Sequence, residues 1–178
     1  ANWQRSSLVE LEGDFTGRHL RLEDGTVPPQ ALTQGGAVAL LPLLALDTVK
    51  LLVKDGPAPE APACATLLEH GLETALLRLE WDENGQLTSI YDKREDRELV
   101  PQGRQANAIT LYEARPRNYD AWELEYSHRR KGWGIGAPTA VTVVENNPLR
   151  AVVEFRYRFG KSQLVQRMTA YAHTARVD

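Results

Sequence analysis

Apolar residues recur at every second position through much of the chain, the period of a strand with one covered face. The longest such run is Ala151, Val153, Phe155, Tyr157 and Phe159, alternating with Val152, Glu154, Arg156 and Arg158. It predicts a strand with its first set in a core and its second in water. Ala140 to Val144 precedes it across the turn Glu145-Asn146-Asn147-Pro148, and Gln163 to Ala172 follows across Gly160-Lys161. Together these read as an antiparallel meander. Leu77, Leu79 and Trp81 alternate with Arg78 and Glu80, and Leu87 to Tyr91 returns after Asp82-Glu83-Asn84-Gly85. Asn and Gly tolerate the positive φ of a tight reversal, so a hairpin is predicted.

The first third follows the same rule in shorter pieces. Leu8 to Leu11 is one strand, and Leu20 with Leu22 marks a second, ending at Asp24-Gly25. Val27-Pro28-Pro29-Gln30 is extended, because proline fixes its own φ and restricts its predecessor. Ala37 to Leu41 is apolar throughout and fits a buried strand or a short buried helix, with Pro42 placing it at an edge or a strand end. Val49, Leu51 and Val53 alternate with Lys50 and Lys54, a half-exposed strand. Gly56-Pro57-Ala58-Pro59-Glu60-Ala61-Pro62 is a stiff proline linker. The expected division is a small antiparallel β-domain over 1–56, a linker over 57–65 and a larger β-unit over 66–178.

Other stretches are less regular. Residues 67–77 fit either a helical face weakened by Gly71 or a strand entering the hairpin. Asp92 to Arg97 reads as a solvated charged turn. Ile109 to Tyr112 is a strand. Tyr126 to Pro138 reads as irregular, and the alternate glycines of Gly132-Trp133-Gly134-Ile135-Gly136 suggest a mobile loop. Arg115-Pro116-Arg117-Asn118-Tyr119-Asp120-Ala121-Trp122 has no period at all. So many polar and aromatic groups are costly to bury, which favours a surface or cleft rim.

Composition narrows the function. Hydrophobic residues at 42% and charged residues at 25% are ordinary for a globular chain. A net charge of −3 gives no field for nucleic acid and no basic membrane patch. The apolar run Ala37 to Leu46 is too short for a membrane span, so neither nucleic acid nor membrane is an expected partner. The single cysteine, Cys64, excludes an internal disulfide and fits a reducing, cytoplasmic compartment. The only methionine is Met168, so the chain is expected to be processed or excised from a longer one. His19, His70, His128 and His173 are scattered without zinc-ligand spacing. No Gly-x-Ser-x-Gly elbow occurs. The acid pairs Asp82 with Glu83 and Glu123 with Glu125 fit a turn and a strand surface better than catalysis. Neither a metal site nor a catalytic residue is therefore expected in this chain.

The order of motifs carries a resemblance. Glu69-His70-Gly71-Leu72, Leu77-Arg78-Leu79, Asn84 through Lys93, Arg97-Glu98-Leu99-Val100, Arg115-Pro116 and Asp120-Ala121-Trp122 resemble the C-terminal β-region of glycoside hydrolase family 38 α-mannosidases. Trp3-Gln4-Arg5 and Arg176-Val177-Asp178 resemble its flanking landmarks. Ala114 and His70 depart from it, standing where the family often has an acidic residue and an Asn. The resemblance favours the strand reading of 67–77. It implies an all-β fold in which 66–178 begins a large antiparallel sandwich like the galactose-mutarotase supersandwiches.

It also implies a parent enzyme that hydrolyses α-mannosidic linkages of oligosaccharides with retention. The nucleophile and zinc would lie in a separate N-terminal catalytic domain, and this chain alone would be inactive. The role implied here is to scaffold and complete the active-site cleft. In the loop, Arg115, Asn118, Tyr119, Asp120 and Trp122 are the candidates for contact with sugar or with the catalytic domain. Aromatic rings stack on the C–H face of a sugar, while Asp, Asn and Arg grip hydroxyls. The alternative is an Arg115–Asp120 ion pair pinning the loop over a buried Trp122. Two rival functions stay open: a free-standing carbohydrate-binding module with its site at Trp122 and Trp133, and a structural interaction domain. A homodimer through segment 140–175 is a further expectation.

Overall fold

The computed structural model describes residues 3–115, 117–119, 122 and 126–178. Among them the regular elements are strands and one short 3₁₀ turn, with no α-helix. The fold is therefore all-β, as the period-two pattern requires.

Strands β1 (Arg5–Glu12), β3 (Gln30–Thr33) and β4 (Gly36–Leu43) form an antiparallel sheet in the order β1-β4-β3. The apolar run at 37–41 is thus a strand, and it is the middle one. Pro42 pairs with Ser6 of β1 and lies beyond Ala39, the last residue of β4 that β3 pairs. Its missing N–H costs no ladder bond on the β3 side, which reconciles a proline with a central strand. β2 (Arg18–Leu22) pairs with β5 (Leu51–Asp55) in a separate ribbon. The expected apolar face of β5 is only partly realised: Leu51 packs inward, whereas Val53 is exposed. A two-stranded ribbon has too little sheet beside it to cover both residues.

Leu20, Ala37, Ala39 and Leu41 form the core of this part, with Val9, Leu11 and Phe15 against it. Gln30 is buried and closes the gap between β2 and β3. Its Oε1 accepts from the Leu20 backbone N–H at 2.6 Å, and its Nε2 donates to the Leu20 carbonyl at 2.9 Å. The side-chain amide thus takes the place of a missing ladder rung.

The remainder is a two-sheet sandwich. One sheet has the order β10-β9-β8-β7-β6: β6 (Thr66–Leu68), β7 (Gly71–Glu73), β8 (Leu77–Trp81), β9 (Leu87–Asp92) and β10 (Arg97–Glu98). Residues 67–77 accordingly hold strands and not a helix, with Glu69 and His70 forming the turn between β6 and β7 and residues 74–76 the turn into β8. Further along, β11 (Thr110–Tyr112) and β12 (Gly132–Gly134) make a ribbon. The facing sheet is β13 (Ala140–Asn146), β14 (Arg150–Phe159) and β15 (Ser162–Tyr171), with β14 central.

Leu72, Leu79, Trp81 and Leu87 from the first sheet meet Ala151, Val153, Phe155, Tyr157, Met168 and Ala170 from the second. Trp81 and Phe155 pack edge to face, with centroids 5.4 Å apart and planes at 85°. The hairpin turn closes onto the same core. Asp82 Oδ1 accepts from the backbone N–H of Asn84 and of Gln86, both at 2.9 Å. Gly85 has φ of 74°, and a Cβ there would overlap the Tyr157 hydroxyl.

Three expectations are corrected. On β14 the outward set is not all in water: Val152 is buried, and Glu154 is only 2% exposed. Glu154 lies between two strands and is covered by Arg156 and Arg167, whose guanidinium groups bond it at 2.6 and 2.9 Å. A buried carboxylate survives where it is paired in this way. Second, the charged turn after β9 is not simply solvated. Asp92 is buried and bonded by Arg94 through Nε at 3.1 Å and a terminal nitrogen at 2.8 Å. Arg97 and Glu98 already belong to β10. Third, Gly132–Gly134 is a strand rather than a mobile loop. A Cβ at Gly132 would sit 2.8 Å from the Tyr112 ring, so glycine lets that ring lie flat across the ribbon.

The end of the proline stretch is strapped to the sandwich. The Cys64 N–H donates to the Asn147 carbonyl at 2.9 Å, and Asn146 Nδ2 donates to the Ala65 carbonyl at 2.9 Å. Arg150 bonds Glu145 at 2.6 Å and also pairs with Glu10 of β1.

Candidate functional site

The loop that the sequence singles out leaves the β11–β12 ribbon. Its base is fixed by backbone and charge. The Glu113 N–H donates to the Lys131 carbonyl at 3.1 Å. The Glu113 carboxylate pairs with Arg115 at 2.8 Å and Lys131 at 3.3 Å. Burial pushes the Glu113 carboxyl up, but the hydrogen bond from Lys131 and the nearby Arg115 charge outweigh it and hold the group below its ordinary value. Glu113 therefore ties the outgoing and incoming arms together.

Arg115 is one of those arms, and among the described residues it pairs with Glu113. Asp120 lies outside the described residues, as do Glu123 and Glu125. Tyr119 and Trp122 share a turn, the Trp122 N–H donating to the Tyr119 carbonyl at 3.2 Å. Trp122 is 88% exposed, which overturns the buried-anchor alternative. Asn118 is exposed beside Tyr119. The structure thus places Arg115 at the base of the loop and Asn118, Tyr119 and Trp122 on its solvent side.

Other exposed aromatics stand on the return arm. Tyr126 begins the 3₁₀ turn Tyr126–Arg130 and is 95% exposed. His128, in the same turn, meets the Tyr112 ring edge to face at 5.4 Å. Trp133, opposite Leu111 on the ribbon, is 55% exposed. Tyr112, Glu113 and Tyr126 were not singled out by the sequence reading. Glu113 was legible in principle: it is an acid two residues before Arg115 on a strand end, with Lys131 after a run of bases.

A second carboxylate organises the neighbouring sheet edge. Glu98 accepts from Ser89 Oγ at 2.5 Å and from the backbone N–H groups of Ile90 and Val100 at 2.8 Å each. Burial opposes its ionisation, but these bonds outweigh it and keep the carboxyl below its ordinary value. With its oxygens engaged, Glu98 joins β9 to β10 rather than offering a base.

Among the described residues, no three His, Cys, Asp or Glu side chains come together as a metal-binding group. The zinc implied by the resemblance has no fitting ligand set among them. Among the same residues, no helix is long and apolar enough to cross a membrane. Cys64 is partly buried, and burial raises its thiol pKa, which makes it a poor nucleophile.

What this arrangement can do is present aromatic and hydrogen-bonding groups from an anchored base. Comparison with curated proteins gives no match. Comparison with protein families does: residues 72–178 match the glycosyl hydrolases family 38 C-terminal domain. That stretch runs from β7 through the sandwich and includes the whole loop. The chain belongs to glycosyl hydrolase family 38, through its C-terminal domain.

Proposed function

We propose that this chain is the non-catalytic β-region of a retaining α-mannosidase acting on α-mannosidic linkages in oligosaccharides. Its role is to scaffold a catalytic domain of the same polypeptide and to complete the active-site cleft. That catalytic domain would supply the zinc and the carboxylate pair, about 5–5.5 Å apart, that retention needs. Within the chain, the proposed units are a small β-domain over 1–56, the linker over 57–65 and the sandwich over 66–178. The proposed compartment is cytoplasmic, in keeping with a single cysteine.

Beyond family membership, the observation that carries this reading is the exposed Trp122 on a loop whose base is fixed by Glu113. A large aromatic ring held in water is poor economy for a lone domain and suits a contact made elsewhere, with sugar or with the catalytic domain. Arg115, Asn118, Tyr119 and Asp120 are proposed to share that contact. Trp133, also exposed, supports the second reading of a carbohydrate-binding module.

The test is a kinetic comparison in the full-length enzyme. Trp122→Ala is expected to cost about 2 kcal/mol or more, or about 30-fold in kcat/KM. Trp133→Ala is expected to cost less. Equal kinetics for the two variants, at equal melting temperatures, would overturn the assignment.

A further inference from the structure

A small polar cleft lies between the β8–β9 turn and the segments on either side of the β11–β12 ribbon. Its volume is about 280 Å³, at the lower end of small-molecule sites, which run from roughly 300 to 1,000 Å³. Asn84 and Gln86 form one wall, Asn107 and Ile109 another, and Ile135 a third, with Tyr157 contributing the floor.

Three features set this cleft apart from an ordinary surface groove. The first is rigidity. The Asn84–Gln86 wall is held by the two backbone bonds to Asp82, and the Tyr157 hydroxyl donates to the Asn84 carbonyl at 3.4 Å. Asn107 is fixed by a reciprocal amide pair with Gln166, at 3.0 and 2.6 Å. The second is that the carboxamides of Asn84 and Gln86 are half-buried and make no side-chain hydrogen bond among the described residues. Each offers donors and an acceptor to a ligand. The third is charge. None of these six residues is ionised at neutral pH, whereas Ile109 and Ile135 supply aliphatic surface from groups also packed on the core.

Two unengaged carboxamides on a pinned turn, beside two aliphatic walls, match a ligand with a rim of hydroxyls and a C–H face. An anion would find no countercharge among these residues, and the one carboxylate behind the wall, Asp82, is engaged by the Asn84 and Gln86 N–H groups. We propose that this cleft binds a single neutral pyranose ring. The choice of sugar among neutral polyols rests on the glycosidase reading, but the cleft itself does not involve the Trp122 loop.

The test is a titration of the isotope-labelled 178-residue chain with methyl α-mannoside and methyl α-glucoside, followed by amide and side-chain NH₂ resonances. A ligand of this size in a preformed site is expected to bind with Kd of about 1 mM. The Asn84 and Gln86 side-chain signals should shift saturably. The double variant Asn84→Ala with Gln86→Ala should bind at least tenfold more weakly at an unchanged melting temperature, and Leu67→Ala, an exposed residue of β6 outside the cleft, should bind as the parent does. Ile135→Ala serves as a second probe of the same walls, leaving both carboxamides in place, and should also weaken binding. Shifts confined to Trp122, with none at Asn84 or Gln86, would overturn the cleft and leave the sugar-binding reading standing. No saturable shift at about 10 mM glycoside would overturn the cleft too. In that case the kinetic comparison of Trp122 with Trp133 still decides the glycosidase reading by itself.

Discussion

At Gly85 the backbone and the core make the same demand. Its φ of 74° disfavours any side chain, and the space a Cβ would take belongs to Tyr157 and Phe155. Gly85→Ala is therefore expected to lose about 2 kcal/mol or more, combining left-handed strain with overpacking. Urea unfolding reads this directly, and a loss below about 0.5 kcal/mol would mean that the turn relaxes freely. Asp92 makes a different demand. The hydrogen bonds from Arg94 hold its carboxyl down to about 2, against about 3.9 in an unfolded chain. A depressed folded pKa contributes stability that is full above the unfolded value and is lost as pH falls through the folded one. The melting-temperature gap between parent and Asp92→Asn should therefore be widest above about pH 4 and close towards pH 2. A gap independent of pH over that window would show that Arg94 does not stabilise the ionised form. Neither Asp92 nor Glu154 was legible as a buried carboxylate. Alternation assigns a face to each residue, but burial on the outer face depends on which guanidinium groups fold over it. Arg167, which covers Glu154, is 13 residues away on the next strand.

Among the elements, β8 and β14 were legible because their apolar positions recur with a period of two, and the β8–β9 hairpin because Asn84-Gly85 adds turn chemistry to it. The β11–β12 ribbon was half legible. Ile109 to Tyr112 carries the period, whereas Gly132–Gly134 has glycine wherever the pattern would be read. Its pairing comes from the backbone of β11, not from its own side chains. The same glycine permits the Tyr112 ring to reach His128. Gly132→Val should push Tyr112 away and loosen the 3₁₀ turn, at a cost of about 1 kcal/mol. The readout is the ring-current shift on the His128 protons. An unchanged shift with unchanged stability would show that Tyr112 has another place to go. The candidate loop is legible by composition alone, and composition could not say that Trp122 faces water or that Arg115 answers to Glu113. Both facts depend on where the ribbon aims the chain. The carboxamide cleft was not legible, since its walls come from three segments that only the sandwich brings together.

At the scale of the whole molecule, the two facing sheets of the sandwich share one core, and their margins are not equally protected. The outer edge of β15 is closed at one end: the Thr169 N–H donates to the Asp178 carbonyl at 2.8 Å, and the Asp178 N–H returns to Thr169 at 3.1 Å. Among the described residues, β13 pairs only with β14. Ala140 to Val143 has neither a charge nor a proline to blunt that edge. Val141 and Val143, opposite Phe155 and Val153, lie on the core side of the sheet and are still exposed. The bulge between Val143 and Glu145 confines any further pairing to the first half of the strand. A second copy meeting this edge about a two-fold axis would set uncharged residues against each other, so nothing repels the approach. The homodimer expected through segment 140–175 is thus proposed to form at β13, away from the 1–56 sheet. Sedimentation of the chain across a concentration range should show a monomer–dimer equilibrium. Val143→Lys should shift it to monomer, because a charge at the edge is how strands are kept apart. A monomer at every concentration, with slow amide exchange throughout 163–175, would show that the sandwich is complete without a partner and that exposed valines at this margin carry no association.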